Sequence, residues 1–205
     1  EFRRVLFRSR AILACMTAPP DNINILELRA GAARVSLRAD LGAAISGYWL
    51  GDLPVLRSTE AAELKQVRDA GCFPLVPYSN RIGHAQFRWQ GRDMRTTPNF
   101  TDAQPGYPHS IHGSAWRKAW RVLSASERSA ELALSHAADA HWPFAFEVVQ
   151  RLELSEQGLR VSLRFTNQDA GVQPVGLGFH PYFPKRSRSR IHVECSHRWE
   201  SDAVS

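Results

Sequence analysis

Apolar and polar residues alternate at every second position along much of this chain, the period of a strand with one face buried. The longest case runs from Glu147 to Asn167. Val148, Gln150, Leu152 and Leu154 fall on one side, and Val149, Arg151 and Glu153 on the other. After Ser155-Glu156-Gln157-Gly158, the residues Leu159, Val161, Leu163 and Phe165 alternate with Arg160, Ser162, Arg164 and Thr166. This is the pattern of a β-hairpin closed by a glycine-containing turn. Shorter stretches behave alike: Ile23 to Leu28, the pair Val35 and Leu37, Ala43 to Leu50, Phe87 to Gln90 ahead of Gly91, and the pair Leu132 and Leu134. Only Thr59 to Asp69 has a helical look, and it is short. Short strands separated by turn signals predict an all-β fold, a large antiparallel β-sandwich.

Composition narrows the picture. With 205 residues, 43% of them hydrophobic, the chain can build one domain with a real core. A formal net charge of +6 invites a nucleic-acid reading, but the arginines are scattered and form no long basic block. Part of the charge sits in the first fifteen residues, where Leu6-Phe7-Arg8-Ser9 matches a translated sequencing adapter. Removing four arginines and Glu1 with that stretch leaves +3. Residues 1–15 are therefore expected to be a non-native leader, and residues 16–205 the domain. A signal peptide is the alternative, but the apolar run from Ala11 to Met16 is short for one. No eighteen-residue apolar stretch predicts a membrane span. Cys15, Cys72 and Cys195 show no paired spacing, so a reducing, cytoplasmic setting is the default. Neither a nucleic acid nor a membrane is expected as a partner.

Three segments carry candidate chemistry. In Phe73-Pro74-Leu75-Val76-Pro77-Tyr78-Ser79-Asn80-Arg81, the second proline interrupts any ladder and lets the polar tip leave the sheet. Asn80 offers donors and acceptors and Arg81 a fork of donors, a pair suited to vicinal hydroxyls. Equally, Asn80 could shape a turn and Arg81 make a structural ion pair. In His109-Ser110-Ile111-His112-Gly113, the glycine permits close backbone approach to a ligand. Trp116 and Trp120 follow as either a flat apolar face or core, and His112 as either a site residue or a satisfied buried histidine. In Gly176-Leu177-Gly178-Phe179-His180-Pro181-Tyr182-Phe183-Pro184, glycines and prolines fix the backbone around one histidine suited to proton transfer near neutral pH. The Arg92 to Ser110 connection is long, as functional loops often are. The cationic cluster Lys185, Arg186, Arg188 and Arg190 reads as a solvated loop. His84, His109 and His112 lack metal spacing, so no metal is expected, and there is no phosphate loop, dinucleotide fingerprint or nucleophile elbow.

Taken together, these motifs resemble the aldose 1-epimerase family. The matches are residues 73–82, His112-Gly113 with Trp116 and Trp120, Trp142-Pro143-Phe144-Ala145-Phe146, and residues 176–184, in that order. The resemblance runs from about Ile23 to the chain end. It implies a galactose mutarotase-like supersandwich that interconverts the α and β anomers of a free aldohexose such as galactose or glucose. It implies His180 as general acid at the ring oxygen, His112 on the ring oxygen or a nearby hydroxyl, and Asn80 with Arg81 on the sugar hydroxyls. Proton transfer alone suffices, so no cofactor is implied. Monomer and homodimer are both open.

One departure stands out. The family's general base is a glutamate well after the second histidine, and Glu194 and Glu200 lie too early to match it. The sandwich is thus expected to be incomplete at its C-terminus, and the chain as written to be inactive and prone to aggregate. Two other functions stay open: a mutarotase for hexose phosphates, with Arg95, Arg117 or the 185–190 cluster supplying cations, and a carbohydrate-binding module without turnover.

Overall fold

A computed structural model describes residues 24–197. The leader reading for residues 1–15 lies outside the described residues, as does the start of the first expected strand at Ile23. Two four-stranded antiparallel sheets hold most of the strand residues. The first is β1 (Ile25–Ala30), β2 (Ala33–Arg38), β3 (Ala44–Leu50) and β4 (Leu53–Pro54), in chain order. Five short strands follow: β5 (Pro74–Leu75), β6 (Arg81–Ile82), β7 (Gln86–Trp89), β8 (Arg92–Arg95) and β9 (Ser110–Ile111). The second sheet is β10 (Arg121–Ala125), β11 (Ser129–His136), β12 (Phe146–Ser155) and β13 (Gly158–Asn167), again in chain order, and β14 (Gly178–Phe179) comes last.

The period-two pattern explains how the sheets meet. Leu28 of β1 and Val35 and Leu37 of β2 share one buried cluster with Leu132 of β11 and Val148 and Leu152 of β12. Each such side chain removed from water contributes about 2 kcal/mol. In β12 the alternation predicted from the sequence holds: Val148, Gln150, Leu152 and Leu154 face inward. Gln150 is fully buried, and its amide Nε2 donates to the Ala43 carbonyl at 2.9 Å, tying the second sheet to the entry of β3. Ser155 pairs with Gly158, so the β12–β13 hairpin turns on Glu156 and Gln157. The apolar face of β13 is only half buried.

The helix expected over Thr59 to Asp69 is absent. The stretch holds one turn near Glu60 and a single 3-10 turn at Val67–Asp69. Its carbonyls are committed elsewhere: the buried Arg38 side chain takes those of Ala61 and Leu64, at 2.9 and 2.8 Å. Among the described residues no helix is long and apolar enough to cross a membrane.

The short strands carry the backbone away from the sandwich and back. Ile45 of β3 bridges to Cys72, which anchors the segment that follows. From there β5 pairs with β14 and β6 pairs with β9. A second apolar cluster, including Phe73, Leu75, Ile111 and Trp116, lies beneath these pairings.

Candidate active site

The segment from Phe73 to Ile82 is the centre of the site because both other motif segments pair with it. On one side Leu75 opposes Gly178 and Pro74 opposes Phe179. On the other, Arg81 opposes Ile111, and Val76 bridges in parallel to Gly113. Residues some 100 positions apart in sequence are thereby set side by side. The Val76–Pro77 peptide is cis, and Pro77 breaks the ladder between β5 and β6 as its sequence position predicts.

Asn80 and His112 both have left-handed backbone, with φ of 57° and 62°. The His112 amide donates to the Asn80 carbonyl at 2.8 Å, which joins the two turns. Gly113 does something other than admit a ligand. A Cβ there would lie 1.9 Å from the Val76 carbonyl oxygen, so the close approach that demands glycine is to the neighbouring backbone. Asn99 completes the clamp. Its Nδ2 donates to the carbonyls of Ile111 and Gly113, at 2.9 and 2.8 Å, and its Oδ1 accepts from the Ile111 amide at 2.7 Å.

These turns open onto a cavity of about 390 Å³, the size class of a small-ligand site. Asn80, Arg81, His112 and His180 all line it, so the four residues singled out in the sequence converge. Among the described residues Arg81 makes no ion pair there; its Nε donates to the Tyr107 hydroxyl at 2.8 Å. Trp116 lines the wall, with its indole N–H held by the Gly113 carbonyl at 3.0 Å. Trp120 belongs to the sandwich core instead. Arg68, Phe100, Gln104 and Tyr107 also line the cavity, and sequence reasoning named none of them. The only signal was the length of the Arg92 to Ser110 connection, which supplies three of the four and Asn99.

The two histidines sit close, with ring centroids 5.2 Å apart and planes at 79°. Burial pushes the His112 imidazole down to about 4, helped by the charges of His180 and Arg81. Burial also lowers His180, with a smaller push from the Arg57 guanidinium. Both rings are therefore held neutral around pH 7 by the cavity as described. The Nδ1 atom of His112 is buried with no hydrogen-bond partner among the described residues. No carboxylate from the described residues lines the cavity, while two guanidinium groups do. The cations expected for a phosphate lie elsewhere: Arg117 pairs with Asp102 at 2.6 Å, Arg186 bonds the Pro54 carbonyl, and Arg95 is on the exposed β8 strand. Among the described residues, no three His, Cys, Asp or Glu side chains gather as a metal site would require.

Residues 24–205 match the sequence profile of the family described as aldose 1-epimerase. The uncharacterized Escherichia coli K12 protein YphB is 35% identical over 178 residues, covering 86% of this chain and 58% of YphB. A solved structure of a candidate aldose 1-epimerase from Escherichia coli K12 superimposes with a TM-score of 0.70 at 34% identity, over 80% of this chain and 53% of that one. A galactose mutarotase-like protein from Clostridium acetobutylicum shares the fold, with a TM-score of 0.66 at 18% identity, over 80% of this chain and 52% of its own. The chain thus spans a little over half the length of these relatives.

Proposed function

Because the chain belongs to the aldose 1-epimerase family, we propose that it provides the sugar-holding, acid side of a mutarotase acting on a free aldohexose such as galactose or glucose. The observation that carries this reading is the convergence of Asn80, Arg81, His112 and His180 on one cavity. Anomer exchange needs a base to take the proton from the anomeric hydroxyl and an acid to protonate the ring oxygen. The bond between the anomeric carbon and the ring oxygen then breaks to give the open aldehyde. Rotation about the adjacent carbon–carbon bond and reclosure deliver the other anomer.

In this reading His180 gives the proton to the ring oxygen. His112 hydrogen-bonds the ring oxygen or a neighbouring hydroxyl, and Arg81 and Asn80 hold hydroxyls. Trp116 and Phe73 offer apolar surface to the sugar's C–H faces. The base is a carboxylate from outside residues 24–197. Such a group would also oppose the burial that keeps the rings neutral, raising their affinity for the proton that the acid must deliver. No cofactor takes part.

A second reading has its own observation. Arg68 and Arg81 both line the cavity, and although Arg68 also reaches Asp102 at 3.7 Å, two guanidinium groups and no lining carboxylate among the described residues suit an anionic group on the sugar. Polarimetry separates the readings. A chimera in which residues 24–197 replace their counterparts in YphB is expected to speed mutarotation of freshly dissolved α-glucose, and His180→Gln to abolish the effect. Acceleration confined to glucose 6-phosphate would favour the anionic substrate. A folded chimera that binds sugar and accelerates neither would point to a binding module.

A further inference from the structure

His180 is one ring in an aromatic cluster. Phe73 stacks against it, with centroids 5.0 Å apart and planes at 20°. Tyr182 packs against it as well, at 4.6 Å and 26°, and Phe73 and Tyr182 touch each other too, tilted at 45° with centroids 6.3 Å apart. Beyond Phe73 lies Trp116, at 5.7 Å and 26°. Beyond Tyr182 lies the Arg57 guanidinium, its central carbon 3.8 Å from the ring centroid. Arg57 does not line the cavity, so it backs the cluster from behind.

The arginine is itself fixed. Its Nε and Nη2 both donate to the Ala70 carbonyl, at 3.2 and 2.7 Å, and Nη2 also reaches the Arg68 carbonyl. The main chain repeats the same tie. The Arg57 amide donates to the Tyr182 carbonyl at 2.7 Å, the Tyr182 amide to that of Gly71 at 2.8 Å, and the His180 amide to that of Phe73 at 3.0 Å. Phe73, His180, Tyr182 and Arg57 are therefore joined by backbone hydrogen bonds as well as by side-chain packing.

Such a clamp answers a specific weakness. The terminal torsion of a histidine is broad, so an imidazole in an open cavity swings its N–H through a wide arc. Proton transfer to a bound atom tolerates a misalignment of only about 10–20°. Two rings packed against the imidazole, and against each other, narrow that freedom. We propose that Arg57, acting through Tyr182, is a positioning residue that fixes the plane of the His180 ring and sets the local field it titrates in. This rests on the acid role proposed for His180, but its test does not.

Several ionisable groups face His180: His112 from the turn after β9, Tyr182 and Cys72 beside it, and Arg68 and Arg81 across the cavity. Behind Tyr182, the Arg57 guanidinium adds a charge that opposes protonation of the ring. Imidazole NMR titration of the full chain reads the effect without any sugar or turnover. The His180 signals are identified by their loss in His180→Gln.

Arg57→Met is expected to raise the His180 midpoint by roughly half a pH unit, the scale for charges about 8 Å apart in a partly wet site. His136, buried in the sandwich, is expected to stay put. Arg57→Lys keeps the charge and is expected to restore most of the shift. Tyr182→Phe keeps the ring and the midpoint, while Tyr182→Leu is expected to broaden the His180 signals by freeing the ring. An unchanged midpoint in folded Arg57→Met would overturn the proposal. So would His136 moving together with His180, which would mark general loosening, and so would sharp, unmoved His180 signals in Tyr182→Leu. If the clamp passes and the chain takes no sugar, the proposed function fails and the clamp stands.

Discussion

The amide of His112 and the carbonyl of Asn80 meet at 2.8 Å, and both residues hold left-handed backbone to do it. Asparagine is among the few residues that adopt this conformation at little cost, so Asn80 suits the turn whether or not its side chain meets a sugar. Two variants separate the uses. Asn80→Gly keeps the turn and removes the amide; Asn80→Ala removes the amide and strains the turn by about 1 kcal/mol. Sugar affinity is expected to fall alike in both, and urea stability only in the alanine variant. Full sugar affinity in Asn80→Gly would reduce Asn80 to a turn former.

Asn99 is expected to matter more for the site than its distance from the chemistry suggests. Its three hydrogen bonds span the backbone on both sides of His112. Asn99→Ala strands a part-buried amide and two carbonyls, at a cost of about 2–3 kcal/mol. Asn99→Asp keeps the acceptor for the Ile111 amide but turns a donor into a charge that repels the two carbonyls, and is expected to be no better. Chemical denaturation checks both, with wild-type stability in Asn99→Ala as the contrary result.

Gly113 tolerates no side chain. A methyl group would sit 1.9 Å from the Val76 carbonyl oxygen and 2.6 Å from Pro77, both on the central segment of the site. Gly113→Ala is expected to push β9 and the His112 turn off that segment and to cost more than about 2 kcal/mol. Loss of the His112 and His180 NMR signals from their native positions, with β12 and β13 amide protection retained, would locate the damage at the site. Native positions for both histidines in this variant would contradict the packing described.

Acid should weaken the fold through the same histidines. With His112 near 4 in the folded state against 6.5 ordinarily, the unfolded chain binds the extra proton between those values. Stability is then fully present above pH 6.5 and is lost as pH falls toward 4, by up to about 3 kcal/mol from this residue. His180 and His136 are lowered too and act in the same direction. Denaturation midpoints at pH 4 to 7 are expected to slope less steeply in His112→Gln. Equal slopes would show that His112 is not held neutral by its burial.

Much of this fold can be read from the period-two pattern, because a strand with one buried face repeats every second residue. Val148 to Leu154 shows it directly: its inward side chains, Gln150 included, are those the alternation assigns. The stretch from Thr59 to Asp69 misleads because its local pattern suits a helix while Arg38, distant in sequence, takes its carbonyls. At the site, Asn80, Arg81, His112 and His180 stood out through the prolines and glycines around them. Asn99, Phe100, Gln104 and Tyr107 lie in a loop without periodicity, and only tertiary pairing of β6 with β9 brings them in. Arg57 acts through another ring, which no spacing announces.

The central claim is that one cavity, lined by Asn80, Arg81, His112 and His180, takes a free aldohexose. Histidine imidazole NMR of the chain titrated with galactose and with glucose tests it most directly. The account predicts saturable shifts of the His112 and His180 resonances, abolished by Arg81→Ala, with His136 unmoved. Titrations in which neither His112 nor His180 responds to either sugar, in a folded chain, would contradict it.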